Sequence, residues 1–263
     1  MSRLVVVSPH LDDAVFSMGA TIARRVAAGH AVTIVTVCSA VDDQDRRHDD
    51  RRAAAIVGAD TVHLEIDDAP RRGYHLSWAG LCEVDDDHAV VEQMARRLSA
   101  VVASADEVWA PLGCGGHVDH RATLQALLMV RADISLYEER PYARQQGRVA
   151  AAWKRLNAVV DDQDHIGDLG PLRGDTDEWD DVVPFLTRVT ASPVAPIPAP
   201  WSLRFAGRRW RRLACVVGHD ERKLRQRALE AYQGEWAQLA DPDLAKGWPI
   251  TDRAEYLWSR CEP

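Results

Sequence analysis

Apolar residues in the first 142 positions follow two alternating rhythms. Short runs rich in Val and Ile, at Leu4–Val7, Val32–Val37, Val62–Ile66, Glu107–Ala110 and Ile134–Tyr137, have the length and β-branched content of buried strands. Between them, Ala14–Ala28, Asp45–Val57, His88–Ala103 and Asp119–Arg131 space their apolar residues at helical intervals. Gly29 and Gly58 follow the first two of these, where a residue tolerant of positive φ closes a helix. Strands alternating with helices predict an α/β fold: a Rossmann-like, doubly wound, mostly parallel sheet covered on both faces. With the usual order 3-2-1-4-5, strands 1 and 4 are neighbours and a ligand crevice opens at their carboxyl ends. The loops after Val7 and after Ala110 then lie side by side.

Beyond Tyr142 the rhythm loosens. Residues 161–181 carry nine acids against one Arg, Ser192–Trp201 holds four prolines, and residues 204–212 carry five Arg in nine positions. A long helix is expected at Asp220–Leu239 and a short one near Asp252–Arg260, with Trp236 and Trp258 as helical core residues. The pattern divides the chain into a catalytic core, 1–145, and a C-terminal subdomain, 146–263, which belongs to the same fold unit and lies over the crevice. Pro193–Pro200 reads as an extended connector. The Arg204–Arg212 run reads as solvated or paired with the acidic stretch, since charge runs are usually surface, although it could draw a phosphate or carboxylate.

Composition narrows the function. Hydrophobic residues make up 46% and charged residues 27% of 263, as in a soluble globular protein. A net charge of −8 argues against a nucleic-acid partner, whose binders carry basic footprints. Five cysteines (38, 82, 114, 215, 261) form no CxxC pair and are odd in number, so neither a disulfide framework nor a thiolate zinc site is expected. Leu4–Val7 is too short for a secretory apolar segment and no later stretch would span a membrane, so a cytoplasmic protein is expected.

The unusual chemistry sits in the two adjacent loops. The first reads Ser8-Pro9-His10-Leu11-Asp12-Asp13; the second runs from Gly113 to His117-Val118-Asp119-His120. Imidazoles and carboxylates without thiolate suit a catalytic Zn²⁺, which takes three protein ligands and keeps a position for water. His10 and Asp13, three apart at a helix start, can point at one metal. Only one of His117 and His120 need join them, and Asp12 could reach the metal's water and take its proton. As the plainer alternative, Asp12 and Asp13 are helix N-caps and the two histidines are surface residues. The joint placement of both loops at adjacent strand ends favours a site. Cys114 reads as a small residue filling a Gly-rich turn. Gly113, Gly115 and Gly116 complete neither GxGxxG nor a P-loop, which disfavours nucleotide binding by those routes.

These motifs resemble the PIG-L/LmbE-like zinc-dependent N-deacetylases. Pro9-His10-Leu11-Asp12-Asp13-Ala14 is similar to their P-H-x-D-D motif, and His117-Val118-Asp119-His120 to their H-x-D-H motif. Weaker echoes are Arg46, Asp49 and Ala53 for R-x-x-E-x-x-x-A, Tyr137–Tyr142 for Y-E-D-x-P-Y, and Arg225, Ala228, Leu229, Tyr232, Gly234 and Glu235 for a late K-x-x-A-L-x-x-Y-x-S-Q. The resemblance implies zinc, or another divalent metal, on His10, Asp13 and His120. It implies Asp12 as general base, His117 as oxyanion stabiliser, and Asp119 as a residue orienting or tuning a histidine; the proton that the departing amine needs comes from Asp12 or from His117, and the sequence leaves both open. Leu11, Gly115 and Glu235 depart from the pattern: Pro is commoner at the first, some members carry Tyr at the second, and the third is Gln.

The loop after strand 3 should reach the same rim, where Arg72 and Tyr74 are candidates for a sugar's hydroxyls and ring. The expected function is a zinc hydrolase removing an acyl group, acetyl first among them, from the nitrogen of an amino-sugar-containing small molecule of natural-product type. The alternatives are a zinc amidase or hydratase on a non-sugar, and a non-catalytic Rossmann-like small-ligand-binding protein.

Overall fold

The computed structural model describes residues 1–40, 44–82, 87–140, 142–144, 148–156, 159–160, 202–205, 208–232 and 254–260. The strands are β1 (Arg3–Ser8), β2 (Ala31–Thr36), β3 (Asp60–His63), β4 (Glu107–Pro111), β5 (Ser135–Tyr137), β6 (Val159–Val160), β7 (Ser202–Phe205), β8 (Arg208–Val216) and β9 (Ala254–Arg260). The helices are α1 (Asp13–Ala27), α2 (Gln44–Val57), α3 (Trp78–Leu81), α4 (His88–Val102), α5 (Val118–Val130), α6 (Arg148–Arg155) and α7 (His219–Leu229).

All nine strands form one sheet in the order β3-β2-β1-β4-β5-β9-β8-β7-β6. The first five are parallel to their neighbours and follow the expected order; the four C-terminal strands continue the sheet antiparallel. Strand alternation divides the core. Val5 and Val7 of β1 join Met94, Leu98, Leu127 and Trp153 on one face, while Leu4 and Val6 join Val15, Ile22 and Leu229 on the other. A strand buried on both faces needs apolar residues at successive positions, which explains the unbroken run in β1.

Helix ends are set by glycine where anticipated. Gly29 (φ 86) donates to Val26 O while His30 donates to Arg25 O, and Gly58 (φ 80) and Ala59 repeat the pattern on Ala55 and Ala54. Both are Schellman closures, in which the left-handed residue turns the chain toward the next strand. β3 begins and ends two to three residues earlier than expected, and Glu65, just beyond its end, takes a left-handed φ of 53.

Three expectations for the C-terminal half need correction. The segment near Asp252–Arg260 is strand β9 over Ala254–Arg260, wedged between β5 and β8, so Trp258 is a core residue of a strand. Its aromatic residues and two-residue alternation suit a pleat. The helix expected to run to Leu239 stops at Leu229, and turns at Ala231 and Tyr232 carry Tyr232 inward; residues 233–239 lie outside the described residues. Arg212 is buried, not solvated: its Nε and Nη2 donate to both oxygens of Glu138. The acidic stretch, the Pro-rich connector and Trp236 lie outside the described residues. No helix among the described residues is long and apolar enough to cross a membrane.

Glu255 ties β9 to the helical layer. Fully buried, it accepts from the N–H of Ala20 (3.1 Å) and Thr21 (2.7 Å) in α1 and from Arg225 Nη1 (2.7 Å) in α7. Removing one partner strands a buried charge, so Glu255→Ala should lower unfolding free energy by about 3–5 kcal/mol in urea titrations. A loss under about 1 kcal/mol, the scale of an exposed pair, would contradict that role.

Candidate metal centre

β1 ends in Ser8, whose Oγ donates to His10 O (2.6 Å) and accepts from Ala14 N–H (3.0 Å). Ser8 therefore does the work of a cap at the start of α1. Asp12 occupies the N-cap position but makes no capping hydrogen bond, so its carboxylate is not consumed by the helix. Asp13 folds back instead. Its Oδ2 accepts from the His10 backbone N–H (3.0 Å) and lies 3.2 Å from His10 Nδ1 and 3.3 Å from His120 Nε2.

The second loop turns on Gly113 (φ 81) and Gly116 (φ 84). Glu139, just past β5, accepts from the N–H groups of Leu112 (3.1 Å), Gly113 (2.6 Å) and Cys114 (3.2 Å) and from His120 Nδ1 (3.1 Å). His117 is the N-cap of α5, and its Nδ1 accepts from Asp119 N–H (3.1 Å). Its ring proton must then sit on Nε2. The three imidazoles converge, with ring centroids 4.9 to 5.3 Å apart. Gly115 is sterically required, because a Cβ there would stand 2.8 Å from the Tyr142 ring. That ring meets His120 edge-on at 5.7 Å.

Asp119 stands behind His10. Fully buried, it accepts from His10 Nε2 (2.9 Å) and Ala69 N–H (2.9 Å) and pairs with Arg72 Nη1 (2.8 Å). Arg72 also reaches Asp87 (3.2 Å) and the Asp67 carbonyl (2.8 Å). The structure thus sets the Arg72 guanidinium against carboxylates and a backbone carbonyl, on the far side of Asp119 from His10. Tyr74 packs on Ala69, Leu81 and Val118, with its ring 5.3 Å from Arg72 Cζ.

The field of this cluster is strongly negative. For His10, burial opposes the charged form, yet hydrogen bonds and charges from Asp119 and Asp13 outweigh it and raise its pKa well above the ordinary value. His120 is held up to about 9 in the same way by Asp13 and Glu139, against burial. Burial would lift Asp13, but His120 and His10 hold it well below the carboxylate range; Asp119 is likewise lowered, by His10 foremost. His117 is pushed well down, by burial and then by the His10 charge, and stays neutral. Asp12 is pushed up to about 6, by burial and then by Asp13.

A site that holds protons this firmly also suits a divalent cation. Nε2 of His120 is buried and has no hydrogen-bond partner, although an Asp13 oxygen lies 3.3 Å away. Asp119 on His10 Nε2 and Glu139 on His120 Nδ1 leave His10 Nδ1 and His120 Nε2 to face Asp13. Ligands about 2.1 Å from a tetrahedral ion sit about 3.4 Å apart, close to the spacings around Asp13 Oδ2. His10, Asp13 and His120 therefore fit a metal. His10, Cys38 and Asp119 also lie within 4.8 Å of one another. That set fits less well, since burial and Asp119 raise the Cys38 thiol and Asp119 is already engaged by Ala69, His10 and Arg72.

Sequence reasoning missed two acids. Glu139 lies at the C-terminal end of a strand adjoining β4, a position that marks the same rim, and it sits within the Tyr137–Tyr142 echo. Asp50 is the buried acid of α2, not Asp49. It accepts from Tyr232 OH (2.9 Å) and Thr36 Oγ1 (3.3 Å) and pairs with His63 Nε2 (2.7 Å), whereas Asp49 meets Arg52 at 3.4 Å. The spacing read at Arg46, Asp49 and Ala53 is repeated one residue on at Arg47, Asp50 and Ala54. Tyr232 is buried against Asp50, while Gly234 and Glu235 lie outside the described residues.

Residues 5–130 match the family model described as PIG-L: GlcNAc-PI de-N-acetylase. A curated relative, the 2'-N-acetylparomamine deacetylase of Streptomyces fradiae, is 30% identical over 169 residues, 56% of this chain and 60% of that enzyme. The chain thus matches less than two thirds of that relative's length. Two solved structures share the fold across the whole chain. A deacetylase of the teicoplanin biosynthesis pathway superposes with a TM-score of 0.63 at 20% identity, covering 99% of each chain. A pseudoaglycone deacetylase acting on an antimicrobial reagent superposes at 0.62 with 18% identity, covering 99% of this chain and 97% of that one.

The raised pKa of His120 makes stability of the metal-free chain depend on pH. Its proton favours folding fully below the unfolded value near 6.5, and that contribution disappears as pH rises through about 9. With chelator present, the native chain should lose up to about 3 kcal/mol across this window that His120→Gln does not lose. Parallel denaturation curves of the two proteins at several pH values check this; identical pH slopes would count against it.

Proposed function

We propose that the chain, whose residues 5–130 match the PIG-L family model, is a metal-dependent N-deacetylase acting on an amino-sugar-containing small molecule. The observation that carries this reading is the convergence of His10 Nδ1, Asp13 and His120 Nε2, with Asp119 and Glu139 each fixing the opposite nitrogen of a histidine. The names of the relatives, a 2'-N-acetylparomamine deacetylase and deacetylases of the A40926 pseudoaglycone and of the teicoplanin biosynthesis pathway, support the substrate class.

His10, Asp13 and His120 would hold the metal, zinc or another divalent ion. Bound there, it supplies a Lewis acid that polarises an amide carbonyl and makes water a better nucleophile near neutral pH. Asp12, free of capping duty, accepts the proton that attacking water must lose. His117 keeps its proton on Nε2 and donates it as a hydrogen bond to the oxygen that gains charge as the carbonyl becomes tetrahedral. An amine leaves only when protonated. His117 is neutral, so the proton collected by Asp12 is the one passed to the departing nitrogen. Water and amide thereby give acetic acid and the free amine: one water proton travels through Asp12 to the nitrogen, and the other stays on the new carboxyl group until that group ionises. Asp119, Arg72 and Glu139 are positioning residues.

Several outcomes follow for the purified chain. Asp12→Asn should retain stoichiometric metal while amine release from N-acetylated amino sugars falls about 10²–10⁴-fold. Metal retained with full activity would remove Asp12 from the chemistry. In the wild type, kcat/KM should fall as pH drops and Asp12 gains a proton, with an apparent pKa at or below about 6, because a nearby cation draws that value down. Glu139→Gln should weaken metal binding about 10–100-fold, read by competition with a chromogenic chelator for zinc, cobalt, nickel and manganese in turn. A folded wild-type chain that binds none of these ions would overturn the proposal.

A further inference from the structure

One residue outside the metal centre is tied to it by an unbroken line of contacts. Asp87 is the N-cap of α4, where its Oδ1 accepts from Val90 N–H (3.2 Å). Its other oxygen, Oδ2, accepts from Arg72 Nε at 3.2 Å. Arg72 Nη1 lies 2.8 Å from Asp119 Oδ1, and Asp119 Oδ2 accepts from His10 Nε2 at 2.9 Å. The line runs from a helix terminus, through a guanidinium and a carboxylate, to the back of a histidine whose Nδ1 faces Asp13. Capping accounts for one oxygen of Asp87 and leaves the other for Arg72.

The surroundings let that line carry charge. Asp119 is fully buried and only 12% of the Arg72 side chain is exposed, so water screens their interaction little. Ala69, Leu81 and Val118 form a small apolar cluster beside them, with the Tyr74 ring 5.3 Å from Arg72 Cζ. Among the described residues, Asp87 and Asp119 are the two carboxylates within ion-pair distance of Arg72. Burial works against the Arg72 charge, and Asp119, with Asp87 behind it, raises its pKa nonetheless. A guanidinium divided between two carboxylates draws on each less than it would on one alone. With Asp87 neutral, the whole pull falls on Asp119, whose Oδ2 already accepts from Ala69 N–H as well as from His10. Asp119 then holds His10 less firmly, and an imidazole with a weaker acceptor on one nitrogen is a poorer metal ligand through the other.

We propose that Asp87 is a positioning residue for the metal centre: by sharing Arg72 it leaves Asp119 free to orient His10, so the cap of α4 sets how tightly the metal is held. This inference rests on the metal-dependent reading above and adds to it a residue that reaches the metal set only through Arg72 and Asp119.

Two substitutions separate the charge of Asp87 from its cap. Asp87→Asn keeps a side-chain oxygen for Val90 N–H, since Asn caps as well as Asp, but loses the anion beside Arg72. Asp87→Glu keeps the anion and gives up the cap, because Glu lies outside the capping set. Metal affinity of the full chain is read by competition with a chromogenic chelator, and stability by urea denaturation of the metal-free protein. Asp87→Asn should bind metal about tenfold more weakly, the lower end of what loss of an outer partner costs, with its urea midpoint close to wild type. Asp87→Glu should lower the midpoint yet bind metal within about threefold of wild type. Asp87→Asn carries the test alone if the Glu variant fails to fold. A change under about threefold in Asp87→Asn, or equal losses of affinity in both variants, overturns the proposal and makes Asp87 a cap only. Affinity that merely follows the urea midpoint does the same. If the wild-type chain binds no ion, the metal-dependent reading falls by itself. The role of Asp87 is then decided by the nuclear magnetic resonance signal of the His10 Nε2 proton, which Asp87→Asn should shift and Asp87→Glu should leave in place. A signal unmoved by Asp87→Asn, or moved alike by both variants, overturns it.

Discussion

Burial of Asp13, Asp119 and Glu139 around two imidazoles is the constraint on which the rest of the molecule depends. Carboxylates out of water are tolerable only where cations or hydrogen-bond donors meet nearly every oxygen. The fold supplies those partners from four places: the start of α1, the turn after β4, the start of α5, and the loop after β3 through Ala69 and Arg72. Each segment is held by the site as much as it holds it. Gly113 serves the same end, because its left-handed backbone lies among the successive N–H groups that turn toward Glu139.

The parallel half of the fold was legible because its signals are local. Val-rich runs, helical spacing and closing glycines mark the elements, and the usual doubly wound order, which the sheet follows, supplies the adjacency of the two loops. The C-terminal half was misread where tertiary pairing decides the matter. Ala254–Arg260 is short enough to read as either element, and only the open edges of β5 and β8 make it a strand. Of the candidate site, the residues with unusual side chains at strand ends were visible. Glu139 and Asp50 were not singled out, since nothing in a single sequence separates a buried acid from its exposed neighbour: Glu138 sits beside the one and Asp49 beside the other. The contact of Arg72 with Asp119 was not visible in the sequence, because it spans 47 positions.

Glu138 and Glu139 show how the two halves are joined. Glu138 meets Arg212 and the Trp258 indole N–H, both from the antiparallel strands, while Glu139 serves the metal-facing turn. Consecutive residues past β5 therefore anchor the late strands and the early loops to one short piece of backbone. The C-terminal strands, which contribute no residue to the metal set, still fix where Glu139 stands.

The close approach of Tyr142 to Gly115 has a consequence for divergence within this fold. A Cβ at position 115 meets the near end of the Tyr142 side chain, so any residue larger than glycine there requires that ring to shift or be replaced. The two positions therefore change in a preferred order: loss of the ring at 142 costs no clash, whereas a side chain gained first at 115 does.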